Sequence, residues 1–563
     1  MKIPTEPNER DQFYEELIRK CTASQEGRAQ NYAMLRHYYL HGRSAEEDET
    51  PYNKIFSHID TLTAFLFASE TTKFSIHLPS GEPETEYLRL KPLNRAMNDV
   101  WLSSNADQVF SQAMTWSLVY GSMFIKLIVR GSEIHPFTVD PASIGVLRED
   151  LPFTDRQEAF THSYYTTVSQ LTKDLSAHPQ QKQIIESVHA APVSQMEQTG
   201  LDRILVASTS PNVTGNVNSN LEMDIQYLPE VDEDLVRMHD LYVWNDEEND
   251  YQIVTRPDSG TTIYDRKNFF IKGEHPFVQI CPTPMYSYYW GMSEVAGMIG
   301  LQKWRNERVA QIKKLLNLQV KPPTSMTGWM GLLEEKQYAA FSEGSYISTE
   351  GMQSKIERHA PTLPQDLFAE IREIDAAFAE RSGLQNILMG KGEVGVRSGR
   401  QTSELARLSS ARIKKRALVV EDALEGMATI FLKIMQKYDP TEYRDDSPEK
   451  NTFVADQFTQ HYVVKVDAHS NSPLFVEDLK ELATEMLQAG AINRERYIEI
   501  ISPPDKELIL RELKIIEKKQ EEAQKAEQAA EAAKNQPKGD SQQSAQEQQG
   551  LLEKIKQLVG MGK

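Results

Sequence analysis

Apolar residues recur at helical spacing through 11–40 (Phe13, Leu17, Tyr32, Leu35, Tyr39), which predicts a helix there. The same spacing continues in 52–68 (Ile55, Ile59, Leu62, Phe65, Leu66), gives way to alternation over 73–78, and returns over 88–120 with Trp101, Val109, Phe110, Met114 and Leu118. Gly121 breaks that helix. Residues 123–129 then read as a strand, and 135–148 as strand and turn punctuated by Pro136 and Pro141. Through 176–230 the chain is rich in Gln, Ser, Asn and Thr and shows little periodicity. From Asp240 the pattern is β: LYVW, YQIVT, a Pro257-Asp258-Ser259-Gly260 turn and TTIYD make a hairpin, and 277–281 is a further strand.

A long helix follows, with Ser293 as its expected N-cap and Val295, Met298, Leu301, Val309, Ile312 and Leu315 along one face. Pro322 and Pro323 end it. Residues 324–361 form a small mixed insert, with a strand pair expected around 345–356. Pro364 opens a helix marked by Leu367, Ile371, Ile374 and Phe378 and closed by Gly383. After a Gly-rich loop, 402–438 reads as helix and 462–466 as strand. Residues 474–520 are helical, and 521–549 form a Gln/Glu/Ala/Lys tract. The fold class predicted is α+β, mainly helical.

Composition changes this picture chiefly through charge. The chain has 563 residues, 39% hydrophobic and 26% charged, enough for a large core, and its net charge is −20. That balance argues against a general nucleic-acid coat but leaves room for a local site. From Arg397 to Arg416 the basic residues Arg397, Arg400, Arg407, Arg412, Lys414, Lys415 and Arg416 face only Glu404. From Lys303 to Lys321 the basic residues Lys303, Arg305, Arg308, Lys313, Lys314 and Lys321 face only Glu307. Such segregation suits a steering or sliding surface; the competing reading is an ordinary exposed helix face. Cys21 and Cys281 stand far apart, so neither a zinc site nor a disulfide framework is expected, and a reducing compartment is. The polar, acidic N-terminus is no signal peptide, and the longest apolar run, 61–68, is too short for a bilayer, so no membrane role is expected.

Gly390, Gly392 and Gly395 satisfy GxGxxG, but a helix precedes them where a dinucleotide site needs a strand. Gly383 to Lys391 resembles a phosphate loop only loosely. Six residues separate its glycines, and Gly392 stands where Ser or Thr would hold magnesium. The loop therefore reads as flexible backbone able to approach a ligand closely. The acidic run 246–250 lacks the spacing and glycine of a calcium loop and reads as a solvated hairpin tip. No paired histidines, catalytic set, metal site or cofactor site emerges, so an NTPase or nuclease is disfavoured.

The order of these parts resembles that of tailed-bacteriophage portal proteins, the head–tail connectors. The resemblance is carried by YSYYWGMSEVAGMIGLQKWRNERVAQIKKLL (Tyr286 to Leu316), the Pro322–Pro323 break, and the stretch from Ser382 to Tyr438 that holds GKGEVGVRSGRQ. Upstream, YNKIFSHIDTLTAFLFAS and LVYGSMFIKLIVRGSEIHPFTVDPASIGVL fit the N-terminal half. It implies a wing (1–290), a first stem helix (291–320), a clip (321–363) and a second stem helix (364–383). A tunnel loop (384–402), a wing return helix and strand (403–473) and a crown with a Gln/Glu-rich tail (474–563) would follow. It further implies a ring, usually of twelve subunits, at one capsid vertex of the virion, assembled in the host cytoplasm. The channel would pass double-stranded DNA non-specifically. The partners implied are the terminase large subunit, the major capsid protein, scaffold, and head–tail adaptor or tail proteins. The tunnel loop would present Lys391, Arg397 and Arg400 among Gly390, Gly392 and Gly395, with Arg407, Arg412, Lys414, Lys415 and Arg416 near the channel and Lys303, Arg305, Arg308, Lys313 and Lys314 on the stem. A different structural ring protein of the virion, an adaptor or scaffold, is the alternative.

Overall fold

The computed structural model describes residues 1–43, 52–67, 72–154, 157–176, 178–188, 190, 234–327, 346–349, 355–362, 364–382, 411–447, 449–466, 482–494, 497–498 and 513. The chain divides into two compact units, Met1–Pro473 and Leu474–Lys563. In the second, residues 482–488 are helical.

The first unit opens with α1 (Pro7–Thr22), α2 (Gln25–His41) and α3 (Lys54–Leu66), followed by β1 (Phe74–His77), α4 (Glu84–Ser103) and α5 (Ala106–Tyr120). Two helical stretches are therefore shorter than their periodicity suggests. The first divides at 23–24. The second divides at Asn105, which sits in the left-handed region at φ 55, a conformation its short polar side chain tolerates better than most. The α3 cap is local chemistry: the Asn53 side chain accepts from Phe56 N at 3.1 Å.

The β region comprises β2 (Met123–Arg130), β3 (Glu133–Val139), β4 (Ile144–Val146) and β5 (Ala159–Thr167), then α6 (Val168–Asp174) and α7 (Gln181–Ser187). It closes with β6 (Leu235–Asn245), β7 (Asp250–Pro257), β8 (Tyr264–Lys267) and β9 (Phe277–Ile280). Strands β4-β5-β6-β7-β8 form one antiparallel sheet and β3-β2-β9 another. Alternation along β5 and β6 sorts the faces. Ala159, Leu241 and Val243 pack with Val254 against Tyr14, Leu17, Ile18 and Cys21 of α1. Phe160 and Tyr242 point the other way, into a core with Phe124 and Phe277 of the second sheet. The expected turns hold: residues 246–249 are an exposed hairpin tip, and Gly260 takes φ 127 between β7 and β8.

The last stretch contains α8 (Ile299–Val320), β10 (Thr324–Thr327), β11 (Tyr346–Thr349), β12 (Lys355–Arg358), α9 (Gln365–Ser382), α10 (Ala411–Tyr438), β13 (Glu442–Arg444), β14 (Thr452–Val454) and β15 (Val463–Val466). The strands expected as a pair around 345–356 do not pair with each other. Both flank β10, β11 in parallel and β12 antiparallel, because the Thr324–Thr327 segment has β character that the Pro-Pro break hides. Helix α10 buries Ile413, Ala417, Val420, Leu424, Met427, Phe431 and Met435, in steps of three or four residues. That stripe meets Trp101, whose ring lies 4.6 Å from Phe74 and 5.0 Å from Phe431. Strand β15 returns to pair with β1, Phe74 opposite Val466, so the two ends of this unit share one core.

Candidate functional site

The root of α8 is built by two glycines. Gly121 and Gly291 hold φ 103 and 68, and a Cβ on Gly291 would lie 2.8 Å from Gly121 O and against Cys281 Sγ. Only bare backbone allows this approach, and it sets the hydrogen bonds beside it: Glu294 N to Leu118 O at 2.9 Å and Ser293 Oγ to Val119 O at 2.5 Å. Ser293 also accepts from Ala296 N at 3.1 Å, so it stabilises the turn ahead of the helix; the helix itself begins at Ile299, six residues later than its expected cap. Glu294, 3% exposed, pairs with Arg416 at 2.7 Å and accepts from Thr283 Oγ1 at 3.2 Å. Trp290 donates from Nε1 to Glu149 at 3.0 Å, while Arg28 lies 3.8 Å over the Trp290 ring and pairs with Glu149 at 2.7 Å. These residues thus fasten the root of α8 to α2, α5 and α10.

Further along α8, a polar face is buried and satisfied. Gln302 Nε2 donates to Tyr52 O at 3.0 Å and to Asn306 Oδ1 at 2.8 Å, and Asn306 Nδ2 donates to Gly42 O at 2.8 Å. Arg305 pairs with Asp375 at 3.1 Å, joined there by Lys54 at 3.4 Å. Arg308 pairs with Glu370 at 2.8 Å, whose other oxygen accepts from Trp304 Nε1 at 2.9 Å. Helix α8 carries net +4 and α9 net −3, and these pairs bind the two together. The acidic run of α9 (Asp366, Glu370, Glu373, Asp375) was the signal in the sequence for those partners. Toward the far end of this helix pair apolar residues stay in solvent, Leu316 (44% exposed), Val320 (79%) and Phe368 (46%), as does Leu418 (56%) on α10.

The basic residues singled out from the sequence therefore separate. Arg305, Arg308 and Arg416 pair with carboxylates of the same chain. Lys303 is exposed, 5.6 Å from the Tyr38 ring; Lys313, Lys314 and Lys415 are exposed and Lys414 is half-buried. Arg412 lies in the first turn of α10. Gly390, Lys391, Gly392, Gly395, Arg397, Arg400 and Arg407 lie outside the described residues, as do the whole tunnel loop and the Gln/Glu-rich tail.

Sequence reasoning passed over a cavity of about 600 Å³ where the three-stranded and five-stranded sheets part, between β2, β5–β8, α6 and residues 269–276. Its floor is polar. Lys126 Nζ lies 3.5 Å from Asp240 Oδ2 and 3.4 Å from His162 Nδ1, and Asp240 Oδ1 accepts from Thr255 at 2.9 Å and Tyr164 at 3.4 Å. Burial, with Lys126 and His239 nearby, holds His162 well below the ordinary imidazole range and keeps it neutral. Lys433 pairs with Glu274, and Lys437 and Tyr438 donate to the carbonyls of Phe269 and Phe270, which ties the rim to the end of α10. Alternation in β2 (Lys126 among apolar neighbours) is the only trace of this site in the sequence. Among the described residues, no three or more His, Cys, Asp or Glu gather as a metal would need, and no helix is long and apolar enough to cross a membrane.

No protein-family model matches the chain, and no curated protein does. Among solved structures it is similar to a chain in the virion of a native gene transfer agent particle, at 10% identity and TM-score 0.38, over 80% of this chain and 89% of that one. It is also similar to a chain in the neck of an empty gene transfer agent particle, described with C6 symmetry, at 10% identity and TM-score 0.38, over 80% of this chain and 90% of that one.

Proposed function

We propose that this chain is the subunit of a portal ring in a tailed-phage-like virion, a structural protein without catalytic activity. The observation that carries the reading is the α8–α9 hairpin. It is rooted on the wing by Gly121–Gly291 and Arg416–Glu294, joined at its other end to the β10–β12 sheet, and leaves Leu316, Val320 and Phe368 in water. A two-helix element that exposes large apolar side chains at its far end is incomplete alone, and repeated packing around an axis completes it. The ring would line a channel for double-stranded DNA, with few replaceable cationic contacts and mostly acidic surface, so that the duplex is centred without being held. The β10–β12 sheet would meet the terminase motor during packaging and adaptor or tail proteins afterwards, at a capsid vertex.

Negative-stain electron microscopy and native mass measurement test this directly. Closed rings with a central hole are expected, at about 770 kDa for twelve copies of 64.2 kDa. A protein that stays monomeric at micromolar concentration under every salt condition would overturn the reading. So would ATP hydrolysis that persists through purification and is lost with Lys391→Ala.

A further inference from the structure

We propose that the cavity between the two wing sheets is a socket for a second copy of this chain, filled by Tyr286 of the neighbouring subunit. This rests on the ring reading and adds to it a defined contact.

The socket has apolar walls, among them Leu127, Val129, Met238, Ile253 and Phe270, above the polar floor of Lys126, Asp240 and Tyr164. Lining charges cancel, Lys126 and Arg266 against Asp174 and Asp240, so the site suits a neutral group and not a phosphate. The floor is also loosely closed. Both Lys126 contacts stand at the outer limit of hydrogen bonding, and Asp240 Oδ2 has Lys126 only at 3.5 Å. A hydroxyl arriving there donates to Asp240 Oδ2 and accepts from Lys126 Nζ. An aromatic ring with a hydroxyl at its tip matches both wall and floor.

Such a group stands on the same chain. Tyr286 is fully exposed (101%) at the tip of a tight turn closed by an antiparallel bridge between Met285 and Tyr288, with Ser287 in the left-handed region at φ 56. The base of the turn is fixed by Tyr289 N to Glu149 O at 2.9 Å and Met292 N to Thr283 O at 3.0 Å. A large aromatic held out rigidly, with Met285 also exposed beside it, has no role inside its own subunit. The turn connects to the Gly121 end of β2 through Gly291, whereas the socket uses residues 126–131, from the middle of the strand to its far end. Along the extended backbone Lys126 lies about 16 Å from Gly121 and Val129 about 26 Å. Plug and socket are thus distinct patches of one subunit, the arrangement a head-to-tail ring contact requires.

The test is directed cross-linking in the full-length chain, pairing Tyr286→Cys with Phe269→Cys, which lies exposed on the socket rim. Cys21 is buried and Cys281 half-buried, and burial pushes both thiols up to about 12, so they react slowly with a short bis-maleimide at pH 7 and the single variants report any background. The double variant should give a ladder of covalent oligomers on denaturing gels, and each single variant should not. Tyr286→Ala should raise the concentration for half-assembly at least tenfold with unchanged subunit circular dichroism, and Tyr286→Phe should raise it less. Intact rings without a ladder, or unimpaired assembly of Tyr286→Ala, would overturn the socket while the ring stands. Wild-type protein without rings would instead remove the ring reading itself.

Discussion

Replacing Arg416 by Met isolates the join between α10 and the root of α8. Glu294 is 3% exposed and Arg416 16%, and they meet at 2.7 Å. Methionine keeps much of the stem's volume but removes the cation, so a buried carboxylate is left with Thr283 as its recorded hydroxyl partner. Breaking a buried pair in this way costs about 3–5 kcal/mol. At about 2.1 cal/mol/K of unfolding entropy per residue, a cooperative unit the size of Met1–Pro473 has about 1 kcal/mol/K, so Tm should fall by about 3–5 °C. A smaller cooperative piece would shift further. The double variant Arg416→Met, Glu294→Gln, which neutralises the stranded carboxylate, should regain at least half of the loss. Differential scanning fluorimetry on the three variants checks both numbers. A shift below about 1 °C for the single variant, or a double variant no better than the single, would refute the account of a buried, energetically committed pair.

Two further outcomes follow from particular contacts. Asp140, half-buried and accepting from Ala142 N at 2.8 Å, is pushed up to about 6 by burial, with Arg36 opposing. Its native state holds a proton that the unfolded chain has released, so it lowers stability as pH rises from about 4 through 6. Asp140→Asn should flatten urea midpoints relative to wild type across that window and add up to about 3 kcal/mol at pH 7; an unchanged slope would contradict it. Gly291→Ala sets a Cβ 2.8 Å from Gly121 O at φ 68, where strain and overpacking together cost about 2–4 kcal/mol. The expected result is a lower Tm and weaker protection of the Leu118 and Glu294 amides' segment in hydrogen exchange.

The parts of the fold that depend on local pattern were legible. The α10 stripe from Ile413 to Met435, the β6–β7–β8 meander and the Pro-bounded insert all appear where periodicity and turn residues put them. What failed locally failed for identifiable reasons. Asn105 adopts a backbone conformation that a hydrophobic pattern does not encode, and Ser293 caps a turn six residues ahead of the helix it was expected to start. Of the site, the sequence located the basic residues but not their partners. Arg305 and Asp375 are 70 residues apart, and Arg416 and Glu294 are 122 apart, so their pairing is a product of tertiary packing. The β10–β11 pairing and the cavity between the two sheets are invisible in the same way, since each is made by segments distant along the chain.

Helix α10 is fixed at both ends, to Glu294 near its start and to the carbonyls of Phe269 and Phe270 at its finish. Its 28 residues form a rod of about 42 Å. A continuous helix without proline resists bending, so load applied at one end reappears at the other as tilt. A tilt of about 5° displaces the far end by about 4 Å, comparable to the width of an aromatic ring. The root of α8 and the rim of the cavity between the sheets are therefore geared together: neither can shift by that amount while the other stays still.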